Sequence, residues 1–306
     1  MYLGIDTSNY TTSLATFDGE EVKQAKKLLT VKPGERGLRQ SDAVFQHTVN
    51  MPNLFDSLSV DGLQAVGVSN KPRNVEGSYM PCFLVGENVA VAVAKTNKIN
   101  LHKTSHQVGH ILAALYSANR LELINDEFIA FHLSGGTTEV LLVKPDKDEI
   151  IKAQVIACSN DLKAGQAVDR TGVLLGLTFP CGKELDKLSL QSNKKYIIKP
   201  SMNELDCSLS GVENKAKQMY NNGEKNEDIA KFVLDYVAIS VCEMLKRVQL
   251  KYGNMPVVFS GGVSSNTILR NNVNASFDAY FADSDFSLDN AAGTAIYAYL
   301  KDKKCY

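Results

Sequence analysis

The sequence predicts a duplicated α/β fold built from two halves, and three observations carry that prediction. Two apolar strand pairs, one over residues 2–17 and one over 127–144, each fold back around a turn of small polar residues. Helix-period segments separate them, and a third apolar strand, 257–259, runs into a glycine- and serine-rich turn that opens another helix. Strands that end in such loops expose backbone N–H groups and let a phosphate approach closely. No GxGxxG joins a strand to a helix and no GxxxxGK[ST] occurs, which sets aside a dehydrogenase-type dinucleotide fold and a P-loop.

Taken in order, residues 2–6 and 11–17 read as strands joined by Thr7-Ser8-Asn9-Tyr10. Helices follow at 84–97 and 105–117. The second hairpin comprises strand 127–133, the turn Ser134-Gly135-Gly136-Thr137-Thr138 and strand 139–144. Helices at 163–175 and 226–251 complete the pattern. The latter begins with Asn226, Glu227 and Asp228, carries an apolar stripe from Ile229 through Val248, and has Gly253 just beyond its end. Segments 31–41 and 190–206 read as the least ordered. The two halves are expected at 1–120 and 121–306, with a last helix over 289–303 that can pack on either, and with nucleotide bound between them.

Composition narrows the function classes. The chain has 306 residues, 44% of them hydrophobic, 22% charged and none tryptophan. A net charge of −1 supplies no global basic field, so a nucleic acid must be met by local patches or another subunit. The densest patch is Lys23, Lys26, Lys27, Lys32, Arg36 and Arg39, for which a solvated surface is the commoner reading. Cys82, Cys158, Cys181, Cys207, Cys242 and Cys305 show no CxxC pairing, against a structural zinc site or a disulfide scaffold. No run of 18 apolar residues and no leader-like start is present, so a soluble, cytoplasmic protein without a membrane role is expected.

The most informative stretch is 104–115. His106 and His110 lie four apart at the start of an apolar-periodic segment, with Ser105 or Thr104 as a natural cap. On a helix the two imidazoles share one face about 5–6 Å apart, a spacing that suits a single metal ion. Alone, such a pair is more often an ordinary surface or core feature, so further ligands are required.

Several separate stretches then match one pattern. They are Leu3-Gly4-Ile5-Asp6-Thr7-Ser8, the His106/His110 helix, Leu133-Ser134-Gly135-Gly136-Thr137, Gly165-Gln166-Ala167-Val168-Asp169-Arg170 and Leu174–Gly182 followed by Leu185-Asp186-Lys187-Leu188. Cys207–Glu213, Ser260-Gly261-Gly262-Val263-Ser264-Ser265-Asn266 and Leu288-Asp289-Asn290-Ala291-Ala292 continue it. In this order and spacing the chain resembles the universal tRNA threonylcarbamoyladenosine synthase family, formerly catalogued as O-sialoglycoprotein endopeptidase or glycoprotease.

The resemblance implies an actin-like, sugar-kinase-like fold of two ribonuclease-H-like halves. It implies transfer of a threonylcarbamoyl group from its adenylate to the exocyclic amine of a tRNA adenosine beside the anticodon, with accessory subunits as partners. It also implies one divalent ion, Fe2+ or Zn2+, and an adenylate- or ATP-type nucleotide. His106 and His110 match the paired metal histidines and Asp289 the metal aspartate. His132 stands where some members place a tyrosine ligand, which makes it a further candidate, although a histidine ending an apolar strand is more often structural. Leu133, Ser134, Gly135 and Gly136 match the phosphate-binding stretch, and Asp169, Gly182, Asp186 and Asn266 match nucleoside-holding positions. No residue stands out as a general base, so positioning and electrostatics are expected to carry the chemistry.

The chain departs from the family around the reaction centre. Val108 replaces an acid between the histidines, and Asn9-Tyr10-Thr11 replaces a turn rich in cysteine and acids. Thr137 stands for a histidine, Val168 for a phenylalanine, Lys71–Gly77 for a Gly-Pro-Gly loop and Gly293 for a bulky apolar residue. Three alternatives therefore stand beside the tRNA enzyme: a divergent paralogue with another acceptor, a non-catalytic assembly subunit, and a small-metabolite transferase or kinase of the same fold. A protease is the weakest reading, since the pair lacks the glutamate of HExxH.

Overall fold

A computed structural model describes residues 1–8, 10–31 and 38–304. Asn9 of the first turn, Lys32 and Arg36 of the basic cluster, most of 31–41 and Cys305 lie outside the described residues. The chain divides into two compact units. The first comprises Met1–Asp126, Lys144–Ala153 and Asp285–Tyr306, the second Glu127–Val143 and Gln154–Ser284.

In the first unit the chain forms β1 (Tyr2–Asp6), β2 (Thr11–Phe17), β3 (Val22–Leu28), α1 (Gln40–Asp56), β4 (Ala65–Lys71), α2 (Phe83–Asn97), β5 (Asn100–Ser105) and α3 (His106–Ser117). The sheet runs β3-β2-β1-β4-β5: β1 pairs antiparallel with β2, and parallel with β4. Leu3, Ile5, Leu14, Val66 and Val68 face a core shared with Met51 and Leu54 of α1 and Ala90 and Ala94 of α2.

The second unit begins with β6 (Phe128–Leu133), β7 (Thr138–Asp146) and β8 (Ile150–Cys158), followed by α4 (Ala164–Leu174) and α5 (Gly182–Ser189). A small β9–β10 ribbon (Ser201–Asn203, Asp206–Ser208) falls in a stretch that the sequence reads as irregular. Then come α6 (Ser210–Asn221), α7 (Asn226–Tyr252), β11 (Val257–Ser260), α8 (Thr267–Asn274) and β12 (Ala279–Phe281). The five-stranded order β8-β7-β6-β11-β12 repeats that of the first sheet, strand for strand. The stripe on α7, from Ile229 through Val233, Val237, Val241 and Leu245 to Val248, packs with Phe131, Phe259 and Val212 in this unit's core.

A short turn of helix, α9 (Ser284–Ser287), leads to the final helix α10 (Ala292–Lys303), which lies on β1, β4 and α3 of the first unit. Glycines make that seat possible. A Cβ at Gly4 would collide with the Ala291 carbonyl, and one at Gly67 with the Thr294 carbonyl, so α10 rests directly on strand backbone. Ser13 on β2 pins the helix entry by accepting a hydrogen bond from the Ala291 N–H at 2.8 Å. Among the described residues, no helix is long and apolar enough to cross a membrane.

Candidate metal centre

The site starts from the end of β1. Asp6 is 1% exposed and lies on the sheet face that carries α3 and α10. Its Oδ2 accepts from Ser69 Oγ on β4 at 2.6 Å and lies 2.9 Å from Nδ1 of His106. Its Oδ1 accepts from the Ser8 N–H at 2.8 Å and from the Ser8 hydroxyl. His106 opens α3, whose N-cap is Ser105, with its hydroxyl accepting from the Val108 N–H at 3.2 Å. Capping satisfies one of the four free N–H groups of a helix start.

Four residues further along α3, His110 lies beside His106, with ring centroids 4.2 Å apart. Asp289 completes the group from the segment before α10: its Oδ1 is 3.1 Å from His110 Nε2 and 3.4 Å from His106 Nε2. It is not the helix cap, since Ala291 holds that position and Asn290 accepts the Ala292 N–H. What brings α10 this close to α3 is Gly293: any Cβ there would strike the carbonyl of Gly109, between the two histidines. The glycine that departs from the family pattern thus closes the distance between Asp289 and its histidines.

Among the described residues, His106, His110 and Asp289 form a group whose donor atoms all lie within 4.8 Å of one another. An ion bound at about 2.0–2.2 Å with tetrahedral or octahedral angles needs donors roughly 3.0–3.5 Å apart, and the separations of 3.1 and 3.4 Å agree. The charge balance agrees as well. Asp6 and Asp289 put two carboxylates against two imidazoles in a site where their side chains are 1% and 23% exposed. Burial alone would lower the His106 pKa, but Asp6 and then Asp289 outweigh it and push it up. Burial likewise raises the Asp289 carboxyl, yet His106 and His110 hold it well below the usual carboxylate range. A cluster that draws in positive charge this strongly, with Nδ1 of one imidazole directed to a carboxylate, fits a divalent cation on the Nε2 side.

The remaining expected residues lie in the second unit. His132, next to last on β6, has its Nδ1 3.0 Å from the Ser260 hydroxyl on β11, and it is not part of the three-residue group. Leu133 is fully buried in the core. The turn after it is held shut by Ser134 N–H to Thr137 carbonyl at 2.7 Å and by Thr137 N–H to Ser134 Oγ at 3.1 Å. Gly135 and Gly136 are exposed, with open space where a side chain would be. Gly165, at the start of α4, lets that helix meet the turn, since a Cβ there would come within 2.5 Å of the Gly135 nitrogen. Gly261 (φ +90°) lies equally close to Leu133.

Asp169 accepts from the Cys181 N–H at 2.9 Å, next to Gly182, and burial raises its pKa against that hydrogen bond. Asp186 on α5 accepts from Asn266 Nδ2 at 2.7 Å and from Thr267 Oγ1 at 2.8 Å, while Asn266 Oδ1 caps α8 through the Leu269 N–H. These two nucleoside candidates therefore touch each other and the start of one helix. Asp6, Ser8 and Ser69 are what sequence reasoning missed. Asp6 and Ser8 stand in the Leu3-Gly4-Ile5-Asp6-Thr7-Ser8 stretch that carries the family resemblance, but neither was given a role in the site.

The tRNA N6-adenosine threonylcarbamoyltransferase family profile matches residues 41–296. The chain belongs to this family. A Kosmotoga olearia protein named tRNA N6-adenosine threonylcarbamoyltransferase is 31% identical over 284 residues, covering 86% of this chain and 81% of that one. Among solved structures, Acidaminococcus fermentans (R)-2-hydroxyglutaryl-CoA dehydratase component A superposes with a TM-score of 0.59 at 16% identity, covering 99% and 98% of the two chains. A ROK family glucokinase from Streptomyces griseus, solved with glucose and AMPPNP, gives 0.54 at 11% identity and 98% coverage of both chains. These structural likenesses show the fold, the two-half α/β architecture of actin-like and sugar-kinase-like proteins.

Proposed function

We propose that this family member transfers a threonylcarbamoyl group from threonylcarbamoyl-AMP to N6 of an anticodon-loop adenosine in tRNA, with a divalent ion held by His106, His110 and Asp289. The observation that carries the reading is the convergence of those three side chains in a chain of this family. When bound, the ion supplies Lewis acidity and neutralises developing negative charge. Asp6 accepts the Nδ1 proton of His106 and so keeps Nε2 free as a ligand. With the Ser134 N–H taken by the Thr137 carbonyl, Gly135 and Gly136 of that turn offer backbone N–H groups and open space for a phosphate. Asp169 and Asp186 offer carboxylate oxygens for ribose hydroxyls.

In the reaction the N6 amine forms a C–N bond to the carbamoyl carbonyl carbon, the C–O bond to phosphate breaks, and AMP and one proton leave. Among the described residues no histidine or carboxylate is assigned as base, so orientation and electrostatics carry the step. The test is mass spectrometry of tRNA nucleosides after incubation with threonylcarbamoyl-AMP, with and without candidate accessory subunits. Appearance of N6-threonylcarbamoyladenosine, lost in the His106→Ala, His110→Ala double variant, supports the proposal.

A second reading, another acceptor on the same nucleotide and metal chemistry, draws on the departures. Val108 and Val168 are buried apolar residues, 1% and 5% exposed, where the family pattern has an acid and an aromatic. Adenylate and metal binding without tRNA modification would favour it.

A further inference from the structure

We propose that residues 195–199 of the second unit receive an extended acidic segment of a partner protein as an added β-strand. The burial pattern makes this stretch strand-like: over residues 195–203, exposed and partly buried positions alternate without a break. Tyr196, Ile198 and Met202 pack inward on the core of this unit, while Lys195, Ile197 and Lys199 face out. A period of two marks extended chain with one face covered. The Tyr196 ring meets Phe232 of α7 edge-on at 5.3 Å, and its hydroxyl donates to the Asp228 carbonyl at 3.0 Å. The outward row therefore stands on a fixed support.

Only the last three of these residues are paired. Ser201, Met202 and Asn203 form β9, and β10 ends at Ser208 opposite Ser201. The chain after β10 turns into α6 at Ser210, so the ribbon cannot continue along residues 195–199. Among the described residues, no backbone N–H or carbonyl of 195–199 makes a hydrogen bond. Such an overhang can be completed by another chain, with main-chain hydrogen bonds supplying affinity and alternate side chains supplying specificity.

The outward row selects what completes it. Ile197 is entirely exposed, and Lys195 and Lys199 on either side of it have no ion-pair partner among the described residues. Lys194, by contrast, is held by Asp228 at 3.0 Å. A second copy of this chain, paired antiparallel about Ile197, would set lysine opposite lysine, which is destabilising. A strand with a carboxylate opposite each lysine and an apolar residue opposite Ile197 is the complement. Nucleic acid fits less well, because the residue between the cations is aliphatic where a single strand calls for a stacking ring.

The test uses the full chain and a fluorescein-labelled peptide, Glu-Thr-Val-Thr-Glu, whose order reads the same in both directions and so suits either strand polarity. Binding by anisotropy, together with slowed amide hydrogen exchange over 195–199 by mass spectrometry, is the expected result. The double variant Lys195→Glu, Lys199→Glu should bind it on the order of tenfold more weakly and prefer the counterpart Lys-Thr-Val-Thr-Lys. Ile197→Pro removes an N–H that the fold itself does not use, so it should keep the melting temperature and lose the peptide. No binding at millimolar peptide overturns the inference, as does binding that leaves these amides exchanging as before or that both variants retain. Labelled tRNA whose affinity falls in the charge-reversed variant, while the peptide binds neither protein, would assign the surface to nucleic acid and overturn it. A wild-type dimer in light scattering that Ile197→Pro dissociates would assign it to a second copy, with the same consequence.

Discussion

Replacing Asp6 with asparagine keeps the shape of a fully buried side chain and removes one charge. In the native arrangement the carboxylate accepts at Oδ2 from Ser69 and His106, and at Oδ1 from the Ser8 N–H and hydroxyl. Every partner donates to the carboxylate, so an amide NH2 fits only where a partner gives up its donor role. Turned toward His106, it donates to Nδ1 and forces the imidazole proton onto Nε2, the nitrogen that faces Asp289. Turned toward Ser8, it confronts the backbone N–H. The charge-assisted hydrogen bond lost is about 1.5–3 kcal/mol, roughly 10- to 150-fold in affinity, in line with the 10- to 100-fold cost typical of removing a ligand's orienting partner. Titration with zinc or cobalt(II) against a chromophoric chelator measures it, with Ser69→Ala, which leaves the carboxylate, expected to cost much less. An Asp6→Asn protein that folds with a native melting temperature and binds the ion as tightly as wild type would refute the orienting role.

Further outcomes follow from other parts of the same unit. The double variant His106→Ala, His110→Ala should lose its bound divalent ion, from one per chain to none, by elemental analysis. Gly293→Ala should lower the melting temperature by several degrees, since overpacking typically costs about 1–3 kcal/mol and exceeds the roughly 1 kcal/mol of helix propensity gained; Gly109→Ala, whose Cβ would meet Thr294 at ordinary contact distances of 3.5 Å (Cγ2) and 4.0 Å (N), should be neutral or mildly stabilising. His47, buried on α1 beside Thr12, has its pKa lowered by desolvation to about 4, partly offset by Asp6. The unfolded chain then binds the extra proton between about pH 6.5 and 4, so stability rises with pH across that window and falls on acidification. The loss reaches about 3 kcal/mol, and urea midpoints of wild type and His47→Gln should converge on acidification as the wild type loses this contribution.

Much of the fold was legible from local pattern. Strands 2–6 and 11–17, the strand and turn beginning at 257, and the helices at 84–97, 105–117, 163–175 and 226–251 all appear within about two residues of where periodicity and caps put them. What local pattern passed over was α1, the central strand β4, the helices α5 and α6, and the edge strands. The α1 helix carries Pro52 and the exposed Phe45 and Val49, which blur its apolar period, and β3 is a lysine-rich edge strand with one buried position. The β9–β10 ribbon is three residues per strand, too short to leave an alternation.

The sequence by itself determined the family, the duplicated α/β pattern and the spacing of His106 and His110, because those depend on residue identity and on periodicities within one segment. The family resemblance already pointed to Asp289; only the tertiary structure added Asp6 and decided how both carboxylates reach the pair. Asp289 reaches α3 because Gly4, Gly67 and Gly293 let α10 lie against strand and helix backbone, and Asp6 reaches His106 across the parallel β1, β4 and β5. Those contacts join residues 100 and 179 positions apart. Backbone packing, to which a glycine contributes nothing visible except an absent side chain, is what brings them together.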